Sequence, residues 1–108
     1  MRLVIQADED TVVDPATPEA IRAAFYQPEL WYGTSIDVQS AAGDVLGAAA
    51  ATEMFMKPED EGQFYLSFER GPAVLVLRHP LTREATLALF LRFTAGDSGF
   101  LDELPWEM

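Results

Sequence analysis

An α+β fold is what this chain predicts: an antiparallel meander of four to five strands with two helices packed on one face. Two segments, Thr17 to Gln27 and Thr82 to Ala95, each combine a threonine cap with apolar residues at helical spacing. Between them, short runs alternate polar and apolar residues and are broken by Gly, Pro and Asp. The resulting order, β-α-β-β-β-β-α, implies a sheet covered by helices rather than a helical bundle. At 108 residues the chain suits one domain with one core.

Leu3 to Ala7 reads as the first strand, running into the acidic loop Asp8-Glu9-Asp10, and Asp14-Pro15 marks a turn. Thr17-Pro18-Glu19 then starts a helix with a cap, a first-turn proline and an acid at the positive end of the dipole. Ile21, Ala24 and Phe25 give that helix its apolar stripe, and Pro28 ends it. Ser35 to Gln39 alternates as a half-exposed strand should, and Ala42-Gly43-Asp44 turns the chain. The stretch Val45 to Met56 is ambiguous: its four consecutive alanines favour helix, while Thr52 to Met56 reads as strand. Lys57 to Gly62 has the composition of a hairpin tip, and Gln63 to Glu69 alternates with Phe64, Leu66 and Phe68 on one face. Ala73 to Leu77 is apolar on both faces and is expected at the centre of the sheet.

The second helix presents Leu87, Phe90 and Leu91, flanked by Ala85, Leu89 and Phe93, as a wide apolar face. Gly96 suits a left-handed C-terminal cap. Residues 97–108 are expected as an irregular or single-turn segment docked by its aromatics. The expected core is Phe64, Leu66, Phe68, Val74, Val76, Leu87, Phe90 and Leu91.

Charge narrows the function. Eighteen Asp and Glu oppose seven Lys and Arg, for a formal net charge of −11. The basic residues are scattered singly, so direct nucleic-acid binding is disfavoured, as is an anionic membrane. A basic protein surface is the natural partner for such a chain. With no cysteine, no disulfide framework or thiolate metal site can form, which fits a reducing, cytosolic setting. The N-terminal residues contain no signal-peptide apolar region, and the longest apolar run, Val45 to Ala51, is too short for a membrane span.

Nothing here reads as a catalytic or metal motif. His79 has no histidine or cysteine companion, and no G-x-S-x-G turn accompanies Ser35 or Ser67. The run Asp8-Glu9-Asp10 lacks the spacing and distal Glu of a calcium loop. The expectation is a non-enzymatic protein with no cofactor and no bound metal. Candidate partner-binding residues are the acids Asp8, Glu9, Asp10, Glu59, Asp60, Glu61, Asp97, Asp102 and Glu103. Trp31, Tyr32 and Trp106 join them as aromatic anchors, with Glu107 beside the last. Packing in the core is the competing role for each aromatic.

A helix ending in Leu91-Arg92-Phe93-Thr94-Ala95-Gly96-Asp97, then an acidic stretch closing on Leu104-Pro105-Trp106-Glu107, resembles the ending of Imm1-type immunity proteins of bacterial polymorphic toxin systems. The likeness spans residues 63–108, and the family's glycine-rich early strand pair has no counterpart placed on Ser35 to Ala51. It implies a small α+β protein that binds and neutralises a cognate toxin. Only Trp106 and Glu107 carry across from it, in a role that is either binding or structural. An adaptor module, homodimeric through a sheet edge and acidic only for solubility, is the alternative. A small enzyme or ligand-binding domain with a pocket between sheet and helices comes third.

Overall fold

Eight strands form one antiparallel sheet in the computed structural model, which describes residues 1–6, 10–26, 34–50 and 63–107. In chain order the elements are β1 (Arg2–Gln6), β2 (Thr11–Val13), α1 (Pro18–Phe25), β3 (Ser35–Gln39), β4 (Val45–Ala50) and β5 (Gln63–Arg70). They continue with β6 (Ala73–Leu77), β7 (Leu81–Thr82), α2 (Arg83–Thr94), α3 (Phe100–Glu103) and β8 (Trp106–Glu107). The sheet runs β2-β1-β3-β4-β5-β6-β8, with β7 pairing β5 beyond the end of β6.

The α+β class and the antiparallel sheet are as the sequence predicts, but the sheet is wider than expected. The additional strands β2, β7 and β8 are two or three residues long, too short for an alternation pattern to register. Both edges, β2 and β8, are among them, which leaves little template for edge-to-edge pairing.

Both main helices begin where their threonines indicate. Thr17 Oγ1 accepts from the Ala20 amide at 3.1 Å and Thr82 Oγ1 from that of Ala85 at 3.2 Å. Helix α2 ends at a left-handed Gly96 (φ 87°), with the Asp97 amide donating to the Arg92 carbonyl and the Gly96 amide to that of Phe93.

The core lies between one face of the sheet and the helices. Leu3, Ile36, Val38, Leu46, Phe64, Leu66 and Phe68 supply the sheet side, and Ile21, Phe25, Leu87, Phe90 and Phe93 the helical side. Phe25 joins three elements, meeting Phe64 edge-on at 5.2 Å and Phe90 at 4.9 Å.

One ambiguity is resolved and one expectation corrected. Residues 45–50, open between helix and strand in the sequence, are strand: Ala48 and Ala50 are buried opposite Leu66 and Phe64, small side chains paired with large ones. Strand β6 is not central: among the described strands only the two-residue β8 lies outside it, and Val74 and Val76 are 46% and 48% exposed. Its second apolar row faces outward, so neither valine belongs to the core, and Leu91 is only half-buried. The strand expected at Thr52 to Met56, the hairpin tip at Lys57 to Gly62, and Gln27 and Pro28 lie outside the described residues.

Candidate functional site

Strand alternation puts a second set of side chains on the face of the sheet away from the core. Register lines them up in rows. Through the middle runs Val12, Val4, Asp37, Gly47, Ser67, Val76 and Glu107, each opposite the next on the neighbouring strand. On one side lie Gln6, Ser35, Ala49 and Tyr65; on the other lie Arg2, Gln39, Val45, Glu69 and Val74. The buried residues of α1 and α2 all belong to the opposite, core face.

This face holds an unusual share of the exposed apolar surface. Val12, Tyr65, Val74 and Val76 all project from it, and only Met1 among the described large apolar side chains is exposed elsewhere. A sheet face that carries no helix layer among the described residues and is studded with half-exposed valines and a tyrosine is the kind of patch that marks an interaction site.

A depression of about 250 Å³ opens in the middle of the face, lined by Asp37, Gly47, Ala49, Tyr65, Ser67 and Val76 among others. Gly47 makes it possible. A Cβ at that position would meet Asp37 Oδ1 at 2.6 Å and Ser67 Oγ at 3.1 Å, so the Asp37 carboxylate leans over space that any other residue would fill. At the rim the Ser35 hydroxyl donates to Gln6 Oε1 at 2.9 Å, and Arg2 donates to Gln39 Oε1 at 2.6 Å.

Asp37 is the electrostatic centre of this site. Burial first, and the negative charge of Glu69 second, push its carboxyl above the usual aspartate range. Among the described residues no Lys or Arg forms an ion pair with it. A half-buried carboxylate facing an open depression without a counter-charge is suited to receiving a cation from outside. His79 is exposed beyond β6 and does not line the depression. Among the described residues no group of three or more Asp, Glu or His is placed to hold a metal ion.

The residues expected to bind a partner are not brought together. Asp8, Glu9, Trp31, Tyr32, Glu59, Asp60 and Glu61 lie outside the described residues. Asp10 is exposed ahead of β2. Asp97 and Glu103 are engaged within the fold: Arg92 donates to Asp97 Oδ2 at 2.9 Å and to Glu103 Oε2 at 2.7 Å, holding both carboxyls below their ordinary values. Only Asp102 of that trio stands exposed without a described ion-pair partner.

Trp106 sits on the core side, half-buried against Phe100, and its Nε1–H donates to the Phe100 carbonyl at 3.1 Å. Its role in the fold is packing. Glu107, on the uncovered face opposite Val76, is bound by Arg78.

Sequence reasoning passed over Asp37, reading it as an ordinary polar position in an alternating strand. Two signals mark it: aspartate is disfavoured inside strands, and the glycine of an otherwise apolar strand indicates a close approach by a neighbouring group. Comparison with protein-family models, with characterised proteins and with solved structures finds no match to this chain.

Proposed function

We propose that this chain is a non-enzymatic binding protein that captures a cationic protein surface on the uncovered face of its sheet. The observation that carries this reading is the coincidence, on one face, of the exposed Tyr65, Val74 and Val76 with the unpaired Asp37 and the exposed Glu69. Apolar and aromatic contacts would supply short-range affinity, and the acids would supply encounter rate and discrimination against acidic partners. The basic side chains are largely committed elsewhere: Arg70, Arg78 and Arg92 are in internal ion pairs and Arg83 is buried.

The partner class comes from the Imm1-type resemblance, and the proposal is inhibition of a cationic toxin domain in the cytosol. The lack of cysteine fits that compartment. Co-expression with candidate toxin domains from neighbouring genes tests this through growth. The wild-type chain should protect, and Val76→Arg, which places a cation and bulk at the centre of the face, should abolish protection while leaving the thermal transition in place. Protection that survives Val76→Arg and Tyr65→Ala would overturn the assignment of the face. A dimer in sedimentation that these same substitutions dissociate would show that the face serves self-association instead.

A further inference from the structure

Resting on that reading of the face, we infer that the depression over Gly47 is a receptor for one arginine side chain of the partner. Its chemistry matches a guanidinium closely. Acceptors lie on more than one side of it, with Asp37 Oδ1 and Ser67 Oγ both close to the position a Cβ at Gly47 would take and Ser35 at the rim. A planar group with five N–H donors can satisfy several of them at once, which a compact ammonium cannot do in fixed geometry. Tyr65 stands at one wall, 53% exposed, where its ring offers a surface for a guanidinium plane. Ala49 and Val76 line the rest and suit the methylene stem.

The charge state of the site points the same way. Asp37 is held in a position that burial and Glu69 make unfavourable for its charged form, with no described cation to relieve it. Arg2 shares the face, but its guanidinium is directed to Gln39. An incoming arginine would supply the missing opposite charge and favour the ionised form of Asp37.

The test uses a defined probe, the pentapeptide acetyl-Gly-Val-Arg-Val-Gly-amide, titrated into isotopically labelled protein and followed by amide chemical shifts. Counterparts with citrulline or lysine at the centre complete the set. The arginine peptide should shift Ser35, Asp37, Gly47, Ala49 and Ser67, and bind at least about tenfold more tightly than the citrulline peptide. Lysine should fall between them. Asp37→Asn and Gly47→Ala should each remove the arginine preference, the first by deleting the charge and the second by filling the space.

Equal binding of arginine and citrulline peptides, or shifts centred on residues 97–107, would overturn the inference. So would an arginine preference unchanged in Asp37→Asn. If Val76→Arg abolishes toxin protection while Asp37→Asn leaves it intact, the arginine receptor is wrong and the binding face stands. If neither matters, the face itself is wrong.

Discussion

At the C-terminal end of α2, Asp97 and Glu103 close on Arg92 at 2.9 and 2.7 Å, tying the Gly96 turn to α3. On the uncovered sheet face Asp37 has a glycine beneath it, a second acid nearby and no described cation. The first carboxylates are exposed, paired and held below their ordinary pKa; the second is half-buried, has no described counter-charge and is raised above it. One arrangement is completed within the fold; the other has no counter-charge among the described residues. A net charge of −11 therefore conceals two kinds of acid, and the proposed site rests on the second kind.

The largest expected effect separates packing from charge in the clamp region. Phe100 is fully buried and meets Phe68, Phe93 and Trp106. Phe100→Ala should cost about 3–5 kcal/mol in chemical denaturation. Arg92→Gln, which breaks both exposed ion pairs but keeps the rings, should cost far less, and its effect should shrink as salt rises. An Arg92 variant as unstable as the Phe100 variant would mean that the clamp, not the rings, holds this end together.

The two kinds of carboxylate should respond to pH with opposite sign. Asp97 and Glu103, lowered in the folded state, contribute stability above the ordinary carboxylate range that is lost as pH falls through their folded values. Asp37, raised in the folded state, favours folding when protonated, and that contribution is lost as pH rises through its folded value. Asp37→Asn should therefore raise the melting temperature at pH 7, with the gain fading below the carboxylate range, while Asp97→Asn should lower it at pH 7. Glu69, facing Asp37 from β5, is the second contributor, so Glu69→Gln should capture part of the Asp37→Asn gain. If Asp37→Asn destabilises at neutral pH, the carboxylate has a stabilising partner and the contrast between the regions fails.

The smallest effect is expected at Gly47. Gly47→Ala forces the end of the Asp37 side chain to move but meets no backbone atom among its nearest contacts, so stability should change by less than about 1 kcal/mol. A much larger loss would show that Asp37 cannot swing aside and that the depression is rigid.

Much of this fold was legible because its signals are local. Thr17 and Thr82 mark helix starts, Gly96 marks a helix end, and the alternation around Phe64, Leu66 and Phe68 marks a strand. The strand at residues 45–50 was harder, since alanine favours helix in isolation and only the large side chains of Phe64 and Leu66 across the pair select small residues in a strand. The uncovered face was illegible for a related reason. Val74 and Val76 read as core in sequence, because an apolar row covered by helices and one left bare look alike until strand order is known. The Asp37 site needs register as well, for residues 37, 47 and 67 come together only across three paired strands.

The most direct measurement compares affinity for the cationic partner after neutralising one kind of acid at a time. Asp37→Asn with Glu69→Gln removes the unpaired charge from the face; Asp97→Asn, Asp102→Asn and Glu103→Gln together remove the acids of the α2–α3 end. The first set should weaken binding by about tenfold or more and leave the protein at least as stable at pH 7, while the second should leave affinity within about twofold and lower stability. Affinity lost in the second set and kept in the first would contradict the account.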